Sequence, residues 1–305
     1  MKIVLVSALL ILPAIPLRGP SRAQNASSAR QPDSSQTKPF SRAAWIAAHA
    51  RSLRFSGGVL PATAPPFNPP GVYVPPGSFS SVLPASFMPS LASTQPVQAS
   101  KDLLPTDTSA EPGTHAEPYL DANQSNPMNL VGGWQENRFA NGGARCVTYG
   151  TSFDGGQTWT TNLIPHLTVA DGGPWERASD PWVAFGPNNR VYYSSLLFNE
   201  TTPDNAIGVS LSSDGGMTWG DPVEINHVKK QFNDKDAIAA DSYPASPHLG
   251  NVYAAWDVNN NTGKQWVVVS RSTDAGRTFE SPVRLGKKGT ENIGAIPRVG
   301  PLGTV

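Results

Sequence analysis

Ser212-Ser-Asp-Gly-Gly-Met-Thr-Trp219 decides how the rest of this sequence reads, because it occurs three times. The other copies are Ser152-Phe-Asp-Gly-Gly-Gln-Thr-Trp159 and Ser272-Thr-Asp-Ala-Gly-Arg-Thr-Phe279. Their aspartates, Asp154, Asp214 and Asp274, stand at two successive intervals of 60 residues. A sharp turn recurring at a fixed long period is the signature of a repeat architecture.

Each position in the motif has a mechanical reading. A small-residue turn between apolar segments predicts a hairpin. The aspartate can accept hydrogen bonds from N–H groups of its own turn. Gly156, Gly216 and Gly276 can take positive φ without a Cβ penalty. Ser152, Ser212 and Ser272, with Thr158, Thr218 and Thr278, can brace the loop through their hydroxyls. Trp159, Trp219 and Phe279 are large enough to pin each hairpin to a neighbouring layer.

The flanking sequence repeats with the turn. Upstream come Glu117–Ala122, Asp180–Phe185 and Asp236–Asp241, then Asn129–Trp134, Arg190–Ser195 and Asn251–Trp256. Third segments are Cys146–Tyr149, Ile207–Leu211 and Trp266–Ser270; fourth segments are Thr160–Ile164, Pro222–Ile225 and Pro282–Leu285. Four strands per unit, with the repeated turn between the third and fourth, predict an all-β chain of propeller blades.

Composition sets the bounds. The net charge of +0 gives no electrostatic case for nucleic acid or an acidic membrane. Cys146 is the single cysteine, so no intrachain disulfide can form, and a buried, inert thiol is expected. Lys2, the apolar run Ile3–Leu17 and the small residues of Ser21-Arg22-Ala23 read as a cleaved export signal over 1–23. The rival, a membrane anchor, is disfavoured by a short apolar run broken by Pro13 and Pro16. Residues 24–116 hold fourteen prolines among Ser, Ala, Thr and Gln, which predicts a disordered tether. A short helix over 41–53 is expected within it, with Trp45, His49 and Leu53 on one face.

The repeated turn resembles the Asp-box, or bacterial neuraminidase repeat, of sialidases and related β-propeller proteins. The resemblance covers 117–305. It implies that the fifteen box residues, from Ser152 to Phe279, are structural and lie away from any active site. A calcium loop is not expected, because no alternating ligand ladder ends in glutamate. Neither a metal nor another cofactor is expected. The resemblance implies glycan binding or exo-sialidase-like glycoside hydrolysis in an exported protein, with glycans as partners. The second function class is a non-catalytic propeller that serves as a protein-interaction scaffold.

In that family the chemistry sits on the central axis, where inner strands begin. Sialidases use three arginines for the substrate carboxylate, an acidic acid/base group and a Tyr–Glu nucleophile pair. The family's early Phe/Tyr-Arg-Ile-Pro motif is absent here, and Glu117-Pro118 stands where the first inner strand begins. The polar residues at matching positions are Glu117, Glu176-Arg177, Asp180, Lys235-Asp236 and Glu291. Arg177 is the candidate for binding an anion or hydroxyls, Asp180 or Asp236 for acid/base work, and Trp182 for stacking on a sugar. The bland reading of the same residues is strand-end capping and ion pairing between blades. Ala295–Val305 aligns with Pro181–Val191, which reads as the start of a fourth unit. About three blades fall short of the 4–8 that close a ring. The expectation is therefore a partial propeller: part of a larger ring that is not competent alone, or an arc that self-associates through open edges.

Overall fold

The computed structural model describes residues 97–260 and 262–305. The export signal, the helix over 41–53 and most of the tether lie outside the described residues. Within them the chain is all β, a partial β-propeller of twelve antiparallel strands. The first unit holds β1 (His115–Ala122), β2 (Leu130–Arg138), β3 (Ala144–Ser152) and β4 (Thr160–Leu163). The second holds β5 (Arg177–Phe185), β6 (Val191–Phe198), β7 (Asn205–Ser212) and β8 (Val223–Glu224). The third holds β9 (Gln231–Ala240), β10 (Val252–Asn260), β11 (Gln265–Ser272) and β12 (Val283–Arg284). In each unit every strand pairs with the next in sequence, and the first two units are also joined by one pairing, Ala144 with Ala178.

The blades stack face to face, and β6 shows why its sequence is continuously apolar. All eight residues of Val191–Phe198 are buried. Successive side chains point to opposite faces of a strand. Val191, Tyr193 and Leu197 therefore enter the core shared with the first blade, beside Val131, Val147 and Tyr149. Tyr192, Leu196 and Phe198 enter the core shared with the third, beside Val252, Ala254 and Trp256. Cys146 is fully buried. Burial, with the charges of Asp171 and Glu136 nearby, pushes its thiol well above the ordinary value, as an inert core group requires.

The three repeated turns are alike in detail. Asp154 Oδ1 accepts from the N–H groups of Gln157 and Thr158, both at 2.9 Å, and Oδ2 accepts from Thr158 Oγ1 at 2.6 Å. Ser152 Oγ donates to Asp154 at 2.7 Å and accepts from Gly156 N–H at 2.8 Å. Asp214 and Asp274 repeat each of these bonds with Ser212, Met217 and Thr218, and with Ser272, Arg277 and Thr278. The threonine hydroxyls lead the bonds that hold the Asp154 and Asp274 carboxyls at about 2.

Two of the turns also fasten blades together. The second turn lies on the first blade: Thr151 Oγ1 donates to Gly216 O at 2.6 Å, and Asn129 Nδ2 to Gly215 O at 3.0 Å. Trp219 packs on Tyr149 and Tyr193, with ring centroids at 5.5 and 5.7 Å. Gly276 of the third turn presses on Tyr192, so closely that a Cβ would stand 2.7 Å from the ring. Ala275 occupies the left-handed region at φ 60°, where the other turns carry Gly155 and Gly215. That conformation costs an L-residue about 1–2 kcal/mol, against about 0.5–1 kcal/mol of extra chain entropy for glycine. Ala275→Gly is expected to raise the urea midpoint, by about 0.5–1 kcal/mol in stability; a lower midpoint would contradict the strain argument.

Two expectations change at the ends. The tether was expected to run to 116, yet residues 99–113 are held against the first blade. Arg145 pairs with Asp107 at 2.6 Å, Leu103 N–H donates to Glu136 at 3.0 Å, and Thr161 donates to Ala99 O at 2.9 Å. Buried polar strand ends, Glu136 and Asn137, supply partners that composition could not show. After Arg284 no strand forms among the described residues, so the expected fourth unit contributes none. The segment instead lies against β10, where Gly294 N–H donates to Asp257 Oδ1 at 3.1 Å and Oδ2 at 2.9 Å.

Candidate functional site: an acidic cleft on the propeller axis

The inner strands β1, β5 and β9 are bulged at the same place. Pairing skips between Ala116 and Tyr119, and between Ser179 and Trp182; on β10, opposite β9, it skips between Ala255 and Asp257. Two residues are left over on each inner strand, Glu117-Pro118, Asp180-Pro181 and Lys235-Asp236, and the first of each pair has φ of 52°, 52° and 55°. A bulge re-aims a side chain, and left-handed backbone at a residue with a long side chain costs on the order of 1–3 kcal/mol. Three such positions in register turn three charged groups toward one place.

That place is a cleft of about 340 Å³. Its charged lining is Glu117, Asp180, Lys235 and Asp236; Tyr119, Trp182 and Ile296 are among its apolar walls. Tyr119 and Trp182 stack at 3.8 Å between ring centroids. Arg298 donates to Tyr119 Oη at 3.3 Å from the segment that follows β12.

Beneath the aromatics runs a hydrogen-bond network. Gln135 Nε2 donates to Glu117 Oε2 at 2.6 Å and to Ser179 Oγ at 2.8 Å. Ser179 Oγ donates to Asp180 Oδ1 at 2.8 Å, and Lys235 N–H donates to Asp180 Oδ2 at 2.9 Å. Glu117 is open to solvent as a residue, while its Oε2 is drawn in among Gln135, Ser179 and the Asp180 N–H. That burial, then the charge of Asp180, raises the Glu117 carboxyl to about 7. Burial is the largest single influence on Asp180 too and acts upward, but the Lys235 charge and the bonds with Glu117, Ser179 and Lys235 N–H together outweigh it. Asp180 therefore stays below its ordinary value while Glu117 stays above its own. Behind them burial lifts Asp257 to about 6 and holds Asp234 well above its ordinary value. Among the described residues no group of three or more His, Cys, Asp or Glu is arranged to hold a metal ion.

The sequence candidates divide. Asp180 lies at the centre of the cleft. Asp236 lines it but not in the expected register. Ala240 pairs with Val252 as Phe185 pairs with Val191, so Lys235, not Asp236, is the counterpart of Asp180. A one-residue slip moves a side chain to the other face of a strand, and Asp236 is accordingly 3% exposed. Arg177 was expected on the axis and is not in the cleft lining. It is buried, donates to Asn141 Oδ1 and Gly142 O at 2.7 Å each, and lies over the Phe139 ring at 4.0 Å. Glu176 is taken up by Glu200 N–H and the Thr201 hydroxyl. Glu291 borders a separate cleft beside Lys264, Trp266 and Arg284. Gln135, Ser179, Tyr119 and Asp234 were not singled out by the sequence. The signal that could have found Tyr119 is the matching Glu117-Pro-Tyr and Asp180-Pro-Trp; the others needed the strand register.

No family model matches the sequence, and no curated protein matches it either. Among solved structures, similarity extends to the Hadza microbial sialidase Hz136, at 15% identity and a TM-score of 0.44 over 56% of this chain and 38% of that one. It extends to the Trypanosoma rangeli sialidase in complex with the inhibitor DANA, at 16% identity and 0.40 over 55% and 30%. A Dyadobacter fermentans protein of unknown function follows at 17% and 0.43 over 58% and 52%. The chain thus spans about a third of the length of the two sialidases and about half of the third protein.

Proposed function

We propose that the chain is an exported, sialidase-like propeller protein of the Asp-box type whose axial cleft binds glycans. The observation that carries this reading is the cleft's make-up: a stacked Tyr119–Trp182 wall in one lining with two neighbouring carboxyl groups, Glu117 and Asp180, the first held above its ordinary value and the second below. Aromatic faces suit the apolar faces of sugar rings. A carboxyl protonated near neutral pH beside an ionised one is what general acid–base cleavage of a glycosidic bond requires. Glu117 would then donate the proton and Asp180 would hold the complementary charge. Export rests on the N-terminal apolar run and its small-residue cleavage site. The test is calorimetric titration with oligosaccharides together with turnover of aryl glycosides. Trp182→Ala is expected to weaken binding about tenfold or more. Asp180→Asn is expected to lower any turnover by about 10²–10⁴-fold. Absence of saccharide binding by the unaltered chain, or variants indistinguishable from it, would overturn the reading.

A further inference from the structure

The charges that a ligand would meet in the axial cleft cancel. Glu117, Asp180 and Lys235 are its carboxyl and ammonium side chains that stay at least partly open to solvent. Asp236 borders the cleft but is 3% exposed and turned to the other face of β9, so its carboxyl takes no part. At pH 6 Glu117 keeps its proton while Asp180 has lost its own. One carboxylate then faces one ammonium. Lys235 Nζ makes no ion pair within 4 Å among the described residues, which leaves its donors open. Its charge, however, is already shared among Asp180, Glu117, Asp234 and Asp257.

An acidic sugar asks for more than this lining holds. A carboxylate is best received by converging guanidinium forks, and no arginine lines the cleft. Arg177 donates to Asn141 and Gly142 instead. Arg298 stands beside the aromatic wall, 5.9 Å over the Trp182 ring, with its fork engaged by Pro297 O and Tyr119 Oη. A ligand carboxylate brought in beside Asp180 would meet like charge.

Resting on the glycan reading above, we infer that the axial cleft selects neutral sugars over sugars that carry a carboxylate, with Asp180 and Lys235 as the pair that sets this specificity. A sugar hydroxyl both donates and accepts. Asp180 supplies acceptor oxygens, the Lys235 ammonium supplies donors, and a protonated Glu117 supplies one donor with an acceptor beside it. A neutral ring against the Tyr119–Trp182 wall can use all three without bringing a charge into the cleft. A carboxylate on that ring would give up its water for a single, already shared cation, which is costly.

The experiment is calorimetric titration at pH 6 with two pairs of ligands: lacto-N-neotetraose and its 3′-sialylated form, and N-acetylglucosamine tetramer and tetragalacturonate. In at least one pair the neutral member is expected to bind at least about tenfold tighter than the acidic one. Its affinity should hold constant between about 0.05 and 0.5 M salt, because no ligand charge is there to be screened. Asp180→Asn leaves the Lys235 charge unopposed and should strengthen binding of the acidic members by about fivefold or more, a gain that misfolding cannot produce. Lys235→Met should weaken the neutral sugar and leave the acidic one excluded. Acidic members that bind as tightly as their neutral partners, or an Asp180→Asn variant without the gain, would overturn this inference and leave the glycan reading standing. No binding of any of the four would remove both.

Discussion

Gly216→Ala is expected to cost about 2–4 kcal/mol of folding stability, whereas Gly156→Ala, at the same place in its turn, should cost about 1–2 kcal/mol. Both glycines are left-handed, at φ 93° and 88°, so the backbone strain of an alanine is nearly equal. The surroundings differ. A Cβ on Gly216 would stand 2.5 Å from Val131 Cγ2 and 2.8 Å from Thr151 Oγ1, both on the first blade. On Gly156 the nearest atom is a Leu130 methyl at 3.4 Å, which is ordinary contact. The difference between the variants therefore isolates the pressure of one blade's turn on the blade before it. Urea denaturation of the two variants measures it, and equal losses would show that the second turn is not seated on the first blade.

Arg177→Ala separates a structural role from a functional one. The side chain is 7% exposed. It gives two 2.7 Å hydrogen bonds to the turn between β2 and β3, lies 3.6 Å from Glu200, and covers Phe139. Removing one partner of a buried charged set costs about 3–5 kcal/mol. The expected result is a loss near the lower end of that range, because Glu200 keeps some access to solvent. Glycan affinity per folded molecule should be unchanged, since Arg177 is not in the cleft lining. A stable variant with selectively lost binding would return Arg177 to the axis.

The fold was legible because its decisive element is local. A serine, an aspartate, a glycine and a threonine within seven residues satisfy one another, so Ser212–Thr218 declares its own geometry and its repeats declare the register of the units. All twelve strands begin within about five residues of where the repeat places them. The site was only half legible, because it depends on contacts between units. Glu117 and Asp180 precede proline at matching places, and that was visible. In the third unit Asp236-Ala looked like the match to Asp180-Pro, but the pairing of β9 with β10 puts Lys235 there. A similar difficulty hid Arg177, one turn of sequence away from the axis and pointed at the β2–β3 turn instead.

The most direct test of the account is carbon-13 titration of the Glu117 carboxyl, in the unaltered chain and in Asp180→Asn. An apparent pKa of about 7 is expected in the first, above the ordinary 4.5. In the second it should fall toward 4.5 without reaching it, because burial, the larger cause, remains. The folded chain holds that proton more tightly than the unfolded one. Its contribution to stability is therefore full below about pH 4.5 and is lost as pH rises through about 7. A Glu117 that titrates near 4.5 in both proteins would contradict the claim that the bulged inner strands bring two carboxyl groups of opposed proton affinity into one cleft.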